Sequence, residues 1–166
     1  MWSKLKSRFE GFPAQATVAQ KLLEYGIRVQ DGIAYCGNIE MADLSIARAT
    51  GTNRRTVRAA LVKIDKDRDL KKVYANLQPI CSLKSAAPVL NWGVIEILPD
   101  DVTRPGIMYE VTKIIALAGI SIRQTIADDP DLVPEPKAFI VTESPIPGEL
   151  LPRIKAIKGI KAVVIY

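Results

Sequence analysis

The chain has 166 residues, 48% of them hydrophobic, with a net charge of +5, two cysteines and no histidine. Such a length suits one ordinary domain or two small ones, and the missing histidine excludes Ser-His-Asp and Cys-His catalysis and histidine-ligated metals. Charge is uneven: residues 1–90 hold 15 Lys and Arg against 8 Asp and Glu, residues 91–166 hold 8 against 10, which suggests two modules and a polyanionic partner for the first.

The opening "MWSKLKSRFEGF" carries basic residues with no apolar core or cleavage site after it, so it does not read as a signal peptide. No apolar run approaches the roughly 18–20 residues of a membrane helix, and the chain is expected in the cytoplasm, away from membranes. Cys36 and Cys81 read as buried free thiols. No cofactor or metal is called for, and no pair of acids stands out for carboxylate chemistry, so no catalytic residues are assigned.

From Pro13, "PAQATVAQKLLEYG" places Val18, Leu22 and Tyr25 on one helical stripe, with proline in the first turn and Gly26 at the stop. Ile27, Val29, Ile33 and Tyr35 then alternate around Asp31-Gly32, which predicts a two-residue hairpin. A short helix follows over about Met41–Thr50. Ala47, Gly51 and Val57 lie at i, i+4 and i+10, the spacing of two helices that meet at a steep angle across a glycine turn. Asn53, or Thr52 beside it, caps the second helix.

On that second helix Val57, Ala60, Leu61 and Ile64 form the inner face. Arg55, Thr56, Arg58 and Ala59 point outward, with Arg54 at the N-terminal rim. Arginine can bridge O6 and N7 of guanine, a small residue such as Ala59 lets the backbone approach, and a helix N-terminus favours phosphate. "DLSIARATGTNRRTVRAAL" resembles the helix-turn-helix of bacterial and archaeal transcription regulators. That resemblance implies double-stranded DNA as partner, with Thr52, Asn53, Arg54, Arg55, Arg58 and Ala59 as contact residues. Such folds also serve protein contacts alone. A further helix over "DKDRDLKKVYANLQP" carries Leu70, Val73, Tyr74 and Leu77 and stops at Pro79.

These elements make a first domain of residues 1–79. Residues 80–91 read as a linker and residues 92–166 as a second domain. There "WGVIEIL" is a strand, and the helix after Pro105-Gly106 buries Met108, Val111, Ile114, Ile115 and Ala118. "ISIRQTIA" and "KAFIVTE" are strands on either side of an acidic, proline-rich loop. A helix over about 147–158 turns Leu151, Ile154 and Ile157 inward, and "IKAVVIY" closes the chain. The order βαββαβ predicts the ferredoxin-like arrangement, and the fold class is α+β.

Residues 92–166 resemble an ACT domain, on the Pro-Gly helix start and the "AGI" before the second strand. With the first half they resemble predicted archaeal regulators of amino-acid metabolism, on "IAYCGNIEM" and "ARATGTNRRTV". The resemblance implies regulation by an amino acid or related small-molecule effector, and a homodimer formed through the ACT domain. It places the effector at "DDVTRPGIMYEV": backbone N–H groups at Gly106 and Ile107 and the Arg104 side chain meet a carboxylate, and Asp100 or Asp101 meets an ammonium. Ser121, Ile122 and Gln124 would face it from a neighbouring subunit. The alternative is a regulatory subunit that docks on a metabolic enzyme without touching DNA.

Overall fold

The computed structural model describes residues 1–166, which divide into two compact units, Met1–Cys81 and Ser82–Tyr166. The first unit opens with α1 (Trp2–Lys6) and a 3-10 turn over Ser7–Phe9, neither anticipated from the sequence; they bury Trp2, Leu5 and Phe9. Next comes α2 (Pro13–Glu24), with proline in the first turn, where its missing N–H costs nothing. It buries Ala16, Val18, Ala19, Leu22 and Leu23. Tyr25, expected on that stripe, is instead 64% exposed beneath the Lys21 ammonium. Gly26 is the reason: its left-handed φ of 63° ends the helix, and Tyr25 leaves the helical phase. A Cβ on Gly26 would also collide with the Gln78 carbonyl oxygen, so two segments far apart in sequence close on this residue.

The hairpin is part of a three-stranded meander, β1 (Arg28–Gln30), β2 (Ile33–Cys36) and β3 (Ile39–Met41). Asp31 and Gly32 both have positive φ, the requirement of a type I′ turn, and pair Gln30 with Ile33. The third strand escaped the sequence pattern because it is three residues long and mostly exposed.

The helices α3 (Asp43–Thr50), α4 (Arg54–Lys66) and α5 (Arg68–Tyr74) complete the unit. Gly51, with φ 62°, closes α3 through bonds from the Thr52 N–H to the Ala47 carbonyl and from the Gly51 N–H to the Arg48 carbonyl. Asn53 caps α4: its Oδ1 accepts the Thr56 N–H at 2.9 Å. Asn53→Ala should therefore cost about 1 kcal/mol of stability in urea unfolding. Val57, Ala60, Leu61 and Ile64 of α4 are all fully buried. Helix α5 stops at Tyr74, short of Pro79; it buries Leu70 and Tyr74, and the Tyr74 hydroxyl donates to the Ala19 carbonyl at 2.9 Å.

The second unit starts within the stretch read as a linker. A 3-10 turn over Ala87–Leu90 buries Ala87 against Val94 and Val141. Its other elements are β4 (Gly93–Pro99), α6 (Ile107–Leu117), β5 (Ile122–Ala127), β6 (Ala138–Thr142), α7 (Leu150–Lys155) and β7 (Ile160–Ile165). The antiparallel sheet runs β5-β6-β4-β7, the ferredoxin-like order. One sheet face, with Ile95, Ile97 and Ile140, packs on Ile107, Val111 and Ile115 of α6 and on Leu150 and Ile154 of α7.

Two expectations shift. Ile107 enters the α6 stripe and Ala118, just past the helix end, is exposed. Helix α7 is shorter than 147–158, and Pro152 fits because it lies in the first turn, before intrahelical N–H bonds are needed. The opposite sheet face carries Val94, Glu96, Phe139, Val141 and Val164, as the strand registers dictate. No helix is long and apolar enough to cross a membrane.

Candidate nucleic-acid interface and ligand cleft

In the first unit the buried face of α4 leaves its arginines on the other side, but they are not equivalent. Arg58 Nη1 donates to the Gly32 carbonyl at 2.8 Å, and Nε lies 3.7 Å from Asp43 Oδ2. That side chain ties the hairpin turn to α4. Arg54 and Arg55 are exposed, with no intramolecular hydrogen bond or ion pair. Of the other residues expected here, Thr52 shares a 2.8 Å hydroxyl bond with Thr50, Asn53 is occupied as the cap, and Ala59 is half-buried.

The first turn of α4 contains no acid. Two free guanidiniums therefore sit at the positive end of a helix dipole, against the preference of a helix for acids there. The arrangement suits an external anion.

In the second unit a cleft of about 160 Å³ opens where the start of α6 meets the end of β5 and the start of β6. Ile97, Val102, Ile107, Met108 and Ala138 supply apolar walls and Arg104 and Asp128 the charged groups; Lys137 also lines the cleft, with its ammonium held 2.6 Å from Glu96 on the opposite sheet face. Gly106 takes φ 93° ahead of α6, and Gly159 makes room for Arg104: a Cβ there would come within 2.9 Å of Arg104 Cδ. The Arg104 guanidinium is half-buried and makes no intramolecular hydrogen bond, although its charge acts on Asp101. Asp128 Oδ2 accepts the Lys137 N–H at 3.1 Å, leaving its other oxygen available.

The structure divides the residues expected to bind effector. Arg104, Gly106 and Ile107 line the cleft together. Asp100 and Asp101 line an open groove that adjoins the cleft at Pro99, Val102 and Pro136 and runs beside Pro130, Pro134 and Glu135. Asp101 Oδ1 accepts from the Thr103 hydroxyl and N–H at 2.7 and 2.8 Å, which holds its carboxyl below the usual range and stiffens the loop. Ser121 and Ile122 lie at the other end of β5, five or more residues from Ala127, and Gln124 Oε1 accepts the Leu83 N–H at 2.8 Å.

No family model and no curated protein matches the chain. Among solved structures, it is similar to an AsnC family transcriptional regulator from Agrobacterium tumefaciens. The alignment covers 92% of this chain and 86% of that chain, at 10% identity and a TM-score of 0.30, too low to carry an argument about fold or function.

Asp128 and Lys137 were missed from sequence because they belong to different ends of the proline-rich loop. The pairing of β5 with β6 is what joins them, with the Asp128 N–H also donating to the Lys137 carbonyl at 2.9 Å. A usable signal was there: the hairpin topology itself brings both loop ends to one edge. No group of three or more His, Cys, Asp or Glu is placed to hold a metal ion.

Proposed function

We propose that the protein is a ligand-responsive DNA-binding transcription regulator of amino-acid metabolism. The observation that carries this reading is the acid-free first turn of α4, where Arg54 and Arg55 stand free above a fully buried anchor of Val57, Ala60, Leu61 and Ile64. In the major groove such a helix offers its N-terminal side chains to base edges and its free N–H groups to phosphate. Arg58, tied to Gly32, serves to position the hairpin beside the helix rather than to read a base.

The cleft of the second unit is read as the effector site. Arg104 supplies a cation for a carboxylate, Asp128 an acceptor for an ammonium, and Ile97, Val102, Ile107, Met108 and Ala138 an apolar pocket for a side chain. A dry cavity of about 150 Å³ is known to hold a six-carbon ring, so a small apolar amino acid fits. Two copies joined through their ACT-like units would bring two helix-turn-helix heads to half-sites about 34 Å apart or a multiple of it. The effector regulates only if it binds one dimer geometry better than another.

The test is DNA selection followed by salt-titrated affinity for Arg54→Ala and Arg55→Ala. A base-reading arginine should cost about 1–3 kcal/mol and relax specificity at one position. A phosphate-binding one should lower the salt slope by about one while thermal stability stays unchanged. If the wild-type chain enriches no DNA at low salt and both variants behave like it, the reading is wrong.

A further inference from the structure

The helix-facing side of the second unit's sheet is laid out in rows that cross all its strands. In one row Thr125, Ile140, Ile95 and Ile165 stand side by side, every one of them β-branched. Two residues further towards the cleft, the row reads Ala127, Ala138, Ile97 and Val163. The bulk stops at β4, and two alanines paired across β5 and β6 carry this row to the sheet edge.

Both alanines line the cleft, facing Ile107 and Met108 of the first α6 turn. Protein interiors pack as densely as organic crystals, so small side chains beneath a helix ordinarily let it settle until the space is filled. Here α6 rests on Ile95, Ile97 and Ile140, all inaccessible or nearly so, and the cleft stays open beside them over the alanines. The cleft therefore exists by omission of bulk at two paired positions. Arg104 lines the same cavity, so a cation and an apolar recess lie together.

We propose that Ala127 and Ala138 set the largest side chain the cleft admits, and that its effector is an amino acid with a bulky apolar side chain, the size of leucine or phenylalanine. The inference rests on the cleft being an effector site, as proposed above. A ligand the size of glycine or alanine would leave Ile97, Ile107 and Met108 without contact and forfeit the dispersion and burial that a larger side chain gains. A hydroxyl or charged side chain would give up water against an alanine floor that offers no hydrogen bond.

The experiment uses the full chain with Ala127→Val, Ala138→Leu and Met108→Ala, each scanned by thermal midpoint against every proteinogenic amino acid at millimolar concentration. Wild type should respond to leucine, isoleucine, methionine or phenylalanine, and not to glycine or alanine. One methylene in an apolar pocket changes binding by roughly 10–200-fold. Ala127→Val and Ala138→Leu should therefore weaken the largest responding amino acid by about tenfold or more and spare smaller ones. Met108→Ala, on the facing wall, should move the preference towards larger side chains. An unchanged order of preference, or an equal loss for every amino acid, overturns the proposal.

The unliganded variants give an independent reading. A side chain grown into open space should leave the midpoint of Ala138→Leu unchanged or higher. One forced into a filled core should lower it by roughly 5 °C or more, which overturns the size filter. If only polar or charged amino acids stabilise the wild type, the size filter fails and the effector reading stands. If none stabilises it, both fail.

Discussion

Leu61→Ala should destabilise the first unit by about 2–5 kcal/mol, the range for deleting a fully buried leucine without collapse of the space it leaves. Leu61 is inaccessible to solvent, and α4 packs against α2, α3, α5 and β1, so the void is walled by elements that cannot all close on it. The loss is comparable with the whole stability of many small domains. Urea unfolding followed by hydrogen exchange of the α2 and α4 amides would measure it. A cost below about 1 kcal/mol would mean that α4 is not the central helix of this unit. Arg55→Ala, on the opposite face of the same helix, should change stability by less than about 1 kcal/mol and in the stabilising direction, and the pair of variants separates folding from use.

Acid should unfold the second unit chiefly through Glu96. The carboxyl titrates at about 2 in the folded chain against an ordinary 4.5, because Lys137, Tyr166 and Lys84 bond its charged form more than burial opposes it. A depressed folded pKa gives stability that is fully present above pH 4.5 and lost as pH falls from 4.5 through about 2. A difference of that size corresponds to roughly 3 kcal/mol. Glu96→Gln should be less stable at neutral pH, since two lysines lose their counter-charge, yet lose little more between pH 4.5 and 2. Circular dichroism across that range would compare the two. Parallel acid curves for wild type and variant would remove Glu96 as the cause.

Local and long-range features of this fold differ in how far the sequence announces them. Periodicity locates Val57, Ala60, Leu61 and Ile64, glycine chemistry locates the turn at Gly51, and capping chemistry narrows the cap to Asn53 or Thr52, of which the fold uses Asn53, because each is decided within a few residues. The βαββαβ order followed for the same reason. What periodicity could not supply was partnership across the chain. Nothing near Arg58 announces the Gly32 carbonyl 26 residues earlier, and nothing near Gln124 announces the Leu83 N–H. Arg58 reads from its chemistry as a DNA contact and Gln124, on the resemblance, as an effector contact from a neighbouring subunit; in the fold each also bonds another segment of its own chain. Asp128 and Lys137 form the converse case: each looks like solvated loop charge until β5 and β6 pair. Tyr25 and Ala118 failed at helix ends, where one residue decides whether the helical phase still applies.

The first turn of α4 has a consequence for engineering. A designer who wanted only a sturdier chain would replace Arg54 or Arg55 with glutamate and gain from the helix dipole. This sequence keeps the opposite charge there, and nothing inside the molecule rewards it. On the DNA-binding reading proposed above, that penalty answers a demand from outside the fold, and stabilising redesign of this protein should begin anywhere but that turn.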